Sequence, residues 1–268
     1  MSPSDLDKYF ARIGYRGPRE PTLEVLHALS EAHARSIPFE NLDVLLGAGV
    51  DIQAHAVFAK LVERRRGGYC FEQNSLFLRV LTALGFDVTP LAARVLMGQP
   101  RERPRPRTHL FLRVVVNGTP WLADVGVGAL SLTAAIRFEL DREQATPHEP
   151  RRIVREGERY FHQARLGAEW MDVYTFTGEE MPEIDREVSN WYTSTHPQSH
   201  FQQGITVARA DSDGRRVTLV DGELKQRQRD GHAEVTRVES ATHLLELLDT
   251  HFGLALPPGT RFPGTLRA

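Results

Sequence analysis

The chain has 268 residues, of which 41% are hydrophobic and 25% charged, and this composition is typical of a globular protein with on the order of two or three packed subdomains. The net charge of −2 excludes a bulk electrostatic attraction to nucleic acid or to an anionic membrane, and no apolar run approaches a membrane span. A single cysteine cannot form an internal disulfide, and the acidic N-terminus does not resemble a secretion signal, so a cytoplasmic location is expected.

The first 85 residues have helical periodicity. Ser4 is expected to cap a first helix and Thr22 a second one, whereas residues 39–43 are expected to be irregular. A third helix is expected to open at Asp51. The histidines of this region have no cysteine or carboxylate at metal-ligand spacing, so we expect no metal.

Residues 66–74, with the sequence RGGYCFEQN, contain the one cysteine. Two glycines precede Cys70, and the helical pattern that follows it ends at Gly85. A sulfur in the first turn of a helix lies at the positive end of the helix dipole, which favours the nucleophilic thiolate. A lone cysteine can also be an inert core residue, so this stretch by itself leaves catalysis and packing both open.

The period changes to that of strands from residue 86. A first strand is expected over residues 86–97, and a proline-rich loop with four arginines follows over residues 98–108. For these arginines a solvated surface is the favoured interpretation, and contact with an anionic ligand is the alternative.

Two apolar runs on either side of Asn117-Gly118 predict a β-hairpin with a two-residue turn, which Pro120 could lengthen by two residues. In either register His109 and Asp124 project from the same face of the sheet. In the tighter register Asp124 is opposite Phe111 and diagonal to His109, so the two side chains are within mutual reach.

The remainder of the chain predicts a small antiparallel sheet or barrel up to residue 185. Residues 190–197 are polar and aromatic and end in proline, which favours a binding loop. Further strands are expected at residues 204–209, 217–220 and 234–238, and an amphipathic helix at residues 242–252.

Cys70, His109 and Asp124 follow one another in the order nucleophile, base and orienting carboxylate. An imidazole could take the thiol proton, and a carboxylate could hold the ring and stabilise the imidazolium. These three residues and further motifs make the chain similar to the arylamine N-acetyltransferases over nearly its whole length. The motifs are FENL at residues 39–42, RGGYCFE at 66–72, DVGVG at 124–128 and NWYTSTHP at 190–197, with Ser199 and Phe201.

The resemblance implies an α+β fold. Residues 1–85 would form an N-terminal helical bundle that carries the nucleophile, residues 86–189 a central antiparallel β-barrel with His109 and Asp124, and residues 190–268 a C-terminal α/β lid. The core would be shared with the papain-like cysteine enzymes.

The implied reaction is ping-pong transfer of an acetyl group from acetyl-CoA, through an acetyl-cysteine at Cys70, to the nitrogen of arylamines, arylhydrazines or N-hydroxyarylamines. Acetyl-CoA would be a cosubstrate, with no metal, and the physiological role would be xenobiotic metabolism. Backbone N–H groups between Tyr69 and Phe71 would stabilise the oxyanion. Arg66 and Glu40 would form a structural ion pair beneath the site.

The resemblance also assigns binding residues. On the CoA side it implies Thr108, Gly126, Val127 and Gly128, and the acceptor pocket would comprise Phe39, Tyr69, Val127 and Phe201. Family members often carry an aromatic residue where this chain has Val127, so the smaller side chain is expected to change which rings fit.

Two alternatives use the same residues differently. A cysteine peptidase or thioesterase with this triad would pass the acyl group to water, so an amine would not speed thiol release. A CoA-binding or other small-molecule-binding module with no enzymatic activity would contain an unreactive Cys70.

Overall fold

The computed structural model describes residues 1–262 and has an α+β fold, as predicted. The helices are α1 (Pro3–Ile13), α2 (Leu23–Ser36), α3 (Leu42–Leu45), α4 (Ala54–Phe58), α5 (Cys70–Ala83), α6 (Glu183–Thr195) and α7 (Ala241–Phe252). The strands are β1 (Phe39–Glu40), β2 (Asp87–Val95), β3 (His109–Val116), β4 (Thr119–Ala123), β5 (Ile136–Arg137), β6 (Arg151–Glu156), β7 (Arg159–Leu166), β8 (Glu169–Glu180), β9 (Thr206–Ala210), β10 (Arg216–Val220), β11 (Glu223–Arg227) and β12 (Ala233–Arg237). Within residues 1–262, no helix has the length and apolar composition that crossing a membrane requires.

Helices α1, α2 and α5 bury their apolar faces in one core beneath the barrel sheet. Thr22 caps α2 as predicted, its hydroxyl accepting from the Val25 N–H. The prediction of Ser4 as the cap of α1 is wrong by two residues. Ser2 is the cap and exchanges hydrogen bonds with Asp5, because Pro3 suits the first helical position and has no N–H to satisfy.

Two further predictions for this region are wrong. The third helix begins at Ala54 rather than at Asp51, because the Asp51 carboxylate accepts the Gln53 N–H in a turn before the helix. It continues as a π-helical segment over Ala59–Glu63. Residues 39–43 are not irregular but form β1 and the start of α3, since β1 pairs with the distant strand β9.

The barrel is a seven-stranded antiparallel sheet in the order β5-β4-β3-β2-β8-β7-β6. Bridges from Leu140 to Ile153 and from Gln144 to Arg151 connect the segment after β5 to β6 and nearly close it. In the β3–β4 hairpin Val116 pairs with Thr119, so the turn has two residues, and the tighter register is confirmed.

The second sheet, β1-β9-β10-β11-β12, joins the N-terminal region to the C-terminal part of the chain. Its inner face packs against α7 in a separate hydrophobic core.

The prediction of a loop at residues 190–197 is wrong, because α6 runs to Thr195 and so also crosses the predicted domain boundary at residue 190. The buried Asn190 stabilises this helix in place by donating to the Val50 carbonyl at 2.9 Å.

Candidate active site

Cys70 is the first residue of α5, and its side chain is buried at the end of the helix that carries the positive partial charge. The N-terminal turn is closed by Glu72, whose carboxylate accepts the Tyr69 N–H at 3.0 Å. The Cys70 thiol donates to the carbonyl of Thr108 at 3.5 Å, which brings it to the start of β3.

His109 opens β3 directly after that carbonyl and is buried. Its Nε2 lies 2.8 Å from Oδ2 of the fully buried Asp124. Burial lowers the pKa of His109, but the carboxylate of Asp124 and the neighbouring Cys70 outweigh burial and raise this pKa to about 10. The predicted neighbours Cys70, His109 and Asp124 therefore do lie together.

Asp124 is held by a residue that the sequence analysis missed. Its Oδ1 accepts from Asn74 Nδ2 at 2.9 Å and from the Gly126 N–H at 3.0 Å. Asn74 also donates to the Leu110 carbonyl at 2.7 Å and accepts the Val125 N–H at 3.1 Å. Asn74 is four residues after Cys70 and so shares its helix face, a spacing that could have identified it.

A hydrogen-bonded chain packs beneath α5 and supports it. Tyr9 Oη lies 2.8 Å from His33 Nδ1, and His33 Nε2 lies 2.6 Å from Gln73 Oε1. Gln73 in turn donates to the Pro38 carbonyl at 2.8 Å. Burial lowers the pKa of His33 to about 4, so this histidine is neutral and structural.

The predicted ion pair between Arg66 and Glu40 is confirmed, with contacts of 3.1 and 2.8 Å. It belongs to a larger network, since Arg66 also contacts Asp43 at 2.8 Å, and Lys60 contacts both Asp43 and Glu72 at 2.7 Å. Because Glu72 accepts the Tyr69 N–H at the start of α5, this network fixes the start of that helix.

A cavity of about 410 Å³ opens above Cys70 and His109. Six of the seven predicted binding residues line it: Phe39, Thr108, Gly126, Val127, Gly128 and Phe201. Further lining residues that the sequence analysis did not single out include Val95, Met97, Arg105, His200, Thr206 and Val220. The walls are largely apolar, and the rings of Phe39 and Phe201 are 5.8 Å apart.

Tyr69 does not line this cavity, contrary to prediction. Its ring is buried edge-on to Phe71 and Phe201, and its hydroxyl donates to Asn190. Tyr69 precedes the first residue of α5, and its side chain turns into the core because the polar Asn190 of α6 satisfies the hydroxyl there.

The arginine-rich loop is largely exposed, as predicted, and two of its arginines pair with carboxylates. Arg101 contacts Asp172 at 2.7 Å and Glu156 at 2.7 Å, and Arg107 pairs with Glu179. These carboxylates come from β6 and β8, which the loop crosses.

The chain is similar to known proteins in sequence and in structure. A family model described as N-acetyltransferase matches residues 22–260. The chain is 46% identical to the arylamine N-acetyltransferase of Mycolicibacterium smegmatis over 256 residues, covering 94% of this chain and 92% of that one.

Two solved structures are similar along most of the chain. The arylamine N-acetyltransferase from Salmonella typhimurium has a TM-score of 0.89 at 38% identity, covering 95% of this chain and 92% of its own. The Mycobacterium marinum arylamine N-acetyltransferase in complex with CoA has a TM-score of 0.88 at 40% identity, with 92% of each chain covered.

Proposed function

The chain belongs to the arylamine N-acetyltransferase family, and from this membership we propose that it transfers an acetyl group from acetyl-CoA to the nitrogen of arylamines, arylhydrazines or N-hydroxyarylamines. The transfer would proceed in two halves through an acetyl-cysteine at Cys70. The observation that carries the proposal is the buried set of Cys70, His109 and Asp124 at the floor of an apolar cavity large enough for an aromatic ring.

In the first half the Cys70 sulfur attacks the thioester carbonyl. The raised pKa of His109 keeps its imidazole protonated near neutral pH, and an imidazolium beside a sulfur favours the thiolate. A C–S bond forms, the carbonyl electron pair moves to oxygen, and collapse of the tetrahedral intermediate breaks the bond to CoA. His109 gives its proton to the departing CoA sulfur.

In the second half an amine nitrogen attacks the acetyl-cysteine. His109, neutral after the first half, takes the proton from the nitrogen as the new C–N bond forms, and the Cys70 thiolate leaves. Asp124 orients the ring and stabilises the imidazolium each time that it forms. The apolar walls around Phe39 and Phe201 would bind the aromatic ring and reduce access of water to the intermediate.

The oxyanion of both intermediates needs hydrogen-bond donors. Within residues 1–262, the backbone N–H groups of Cys70 and Phe71 have no hydrogen-bond acceptor, whereas the Tyr69 N–H donates to Glu72. We therefore assign the oxyanion contacts to Cys70 and Phe71 and not to Tyr69. Both donors belong to the first turn of α5, where the helix dipole also favours negative charge.

Intact-mass measurement after brief exposure to acetyl-CoA tests the proposal. We expect one acetyl adduct on the wild-type protein, no adduct on Cys70→Ala, and loss of the adduct when an arylamine is added. Cys70→Ala should remain folded and show a cooperative melting transition, so that loss of the adduct does not reflect loss of the fold. An adduct that water discharges as fast as an arylamine would identify a hydrolase, and no adduct at all would contradict the proposal.

A further inference from the structure

Lys60 is a buried cation beneath the start of α5. Its side chain is 8% exposed, and its ammonium lies 2.7 Å from both Asp43 Oδ2 and Glu72 Oε1. We propose that Lys60 is a positioning residue for acetyl transfer. Acting through Glu72, it holds in place the two backbone N–H groups that contact the oxyanion, those of Cys70 and Phe71. The inference rests on the proposed function, because it assigns a support to the donors named there.

Glu72 connects Lys60 to the backbone around Cys70. Its Oε1 atom binds the ammonium, and its Oε2 atom accepts the Tyr69 N–H at 3.0 Å. The Tyr69 carbonyl in turn accepts the Glu72 N–H at 3.0 Å, and this carbonyl belongs to the same planar peptide group as the Cys70 N–H. A Cβ on Gly68 would lie 2.5 Å from Glu72 Oε2, so the carboxylate packs directly against the chain before Cys70. A shift of Glu72 therefore turns the peptide group that presents the first oxyanion donor.

Glu72 needs Lys60 because no other cation compensates its charge. Glu72 is 1% exposed, and within residues 1–262 Lys60 is the one cation in contact with its carboxylate. Burial raises the pKa of Glu72 and outweighs the opposing effect of Lys60, so this pKa is about 7. Without the ammonium the carboxyl group would take up a proton, and a neutral acid is a weaker acceptor for the Tyr69 N–H.

The other charged groups near Glu72 have partners of their own. Arg66, in the segment before α5, is bound at 2.8 Å to Glu40 of β1 and at 2.8 Å to Asp43 of α3. Burial lowers the pKa of Lys60, but the carboxylates of this group outweigh burial and raise it, so Lys60 stays charged. Glu72 is therefore the member of this network that changes its charge near neutral pH.

The backbone of Lys60 is also bound to this region. Lys60 lies in the π-helical segment Ala59–Glu63, a rare conformation that is frequent at functional sites. Its carbonyl accepts the Arg66 N–H at 3.0 Å, at the start of the glycine segment that precedes Cys70. Both the side chain and the main chain of Lys60 therefore support the approach to α5.

A cavity of about 320 Å³ connects the ion pair to solvent. It is lined by Lys60 and Glu72 and also by the exposed residues Asp51 and Arg64. Protons from solution therefore reach Glu72, and the support that Lys60 provides is expected to depend on pH.

Steady-state kinetics of Lys60→Met, with acetyl-CoA and an arylamine as substrates, test the inference. Near neutral pH we expect kcat and kcat/KM for acetyl-CoA to fall together by about tenfold or more with KM unchanged, because an oxyanion contact is made only in the transition state. The loss should shrink as the pH is raised from about 7 to about 9, since Glu72 then ionises without the cation. A purely structural role of Lys60 would lower the melting temperature without this dependence on pH.

A second substitution at Glu72 separates the need for an acceptor from the need for a charge. In Lys60→Met/Glu72→Gln the amide oxygen can accept the Tyr69 N–H, and no buried charge requires a cation. This variant should recover kcat to within about threefold of the wild type. Lys60→Met/Glu72→Leu has no acceptor and should stay about tenfold or more below the wild type. If Lys60→Met does not fold, the comparison of these two double variants decides alone.

Lys8→Met is the matched control. Lys8 pairs with Glu63 at 2.8 Å, but the two side chains are 53% and 47% exposed, so this variant should keep the wild-type kcat. Wild-type kcat in Lys60→Met, or equal kcat in the two double variants, would overturn the inference. Lack of turnover in the wild type would instead contradict the proposed function.

Discussion

The side chain of Asp124 connects three parts of this site by hydrogen bonds. Its Oδ2 pairs with His109, and its Oδ1 accepts two donors, the Asn74 amide and the Gly126 N–H. Both carboxylate oxygens therefore act as acceptors, which fixes the side-chain rotamer of Asp124. The Nε2 atom of His109 must then carry a proton in order to donate to Oδ2.

Asp124→Asn should lower kcat about 10²- to 10⁴-fold. The new amide oxygen would stay with the two donors on the Oδ1 side, so the amide NH₂ would point at His109 Nε2 and leave the ring proton on the nitrogen that should serve Cys70. The measurement is the rate of arylamine acetylation, together with the pH dependence of Cys70 alkylation by iodoacetamide. Asp172→Asn, which alters a carboxylate bound to Arg101, is the control and should retain activity. Near-normal turnover in Asp124→Asn would remove Asp124 from the mechanism.

Val127 offers a test of acceptor selection. It lines the active-site cavity and is 7% exposed, so Val127→Phe would fill space that a substrate ring would otherwise use. We expect kcat/KM for a two-ring arylamine to fall about tenfold or more, and that for a one-ring arylamine to change less. Val235→Phe, at an exposed position of β12, should affect neither. Equal losses for both acceptors would show that Val127 does not set ring size.

At the scale of elements, the site depends on how closely the loop after β4 packs on α5. A Cβ on Gly126 would lie 3.0 Å from Cys70 Cα and 2.7 Å from Asn74 Nδ2. The glycine therefore allows the contact that brings the carboxylate of Asp124 to the start of α5 at Cys70.

Gly126→Ala should lower the free energy of unfolding by about 1–3 kcal/mol, because the added methyl group forces the loop from the helix. Activity should fall further than this loss of stability explains, since Asp124 and Cys70 move apart. Denaturant unfolding and acetylation rates measure the two effects. Gly157→Ala is the control: its φ of +58° strains an alanine, but no atom lies within 4 Å of the new Cβ. It should cost about 1 kcal/mol with unchanged kcat, and a similar result for Gly126→Ala would contradict the packing argument.

For the whole molecule, buried neutral histidines couple stability to pH. Burial lowers the pKa of His33 and of His148 to about 4 and that of His162 well below its usual value. These pKa values lie below the unfolded-state value of about 6.5, so the unfolded chain binds more protons in acid. Their stabilising contribution is present above about pH 6.5 and is lost as the pH falls toward about 4.

His33→Gln should therefore flatten the pH dependence of stability. Each such histidine contributes a slope of about 1.4 kcal/mol per pH unit in this window, so the variant should lose about that amount of slope between pH 4.5 and 6. Urea unfolding at several pH values measures it. The control is His55→Gln, at an exposed histidine, which should keep the wild-type slope. An unchanged slope in His33→Gln would mean that His33 is not neutral in the folded state.

Much of the site could be predicted because its signals are local. The two-residue turn at Asn117-Gly118 sets the hairpin register, and with side chains alternating along each strand the register places Asp124 diagonal to His109. The start of α5 at Cys70 follows from the glycines and the helical pattern beside it. Motif resemblance supplied the family and the lining residues around Val127.

The wrong predictions concern segments whose structure depends on contacts with residues far away in the chain. Residues 190–197 are poor in strong helix formers, yet α6 forms because Asn190 bonds to Val50 and Tyr69 from elsewhere in the chain. β1 forms because it pairs with β9, about 170 residues later in the chain.

By itself, the sequence determined the family and predicted that Cys70, His109 and Asp124 lie together, because these depend on turn type, strand alternation and motif order within short stretches. Only the tertiary structure decided which further residues line the cavity, that β1 pairs with β9, and that Asn190 contacts Val50. Local spacing has no information on these contacts, because each joins elements whose approach is set by packing of the helical core, the barrel and the second sheet against one another.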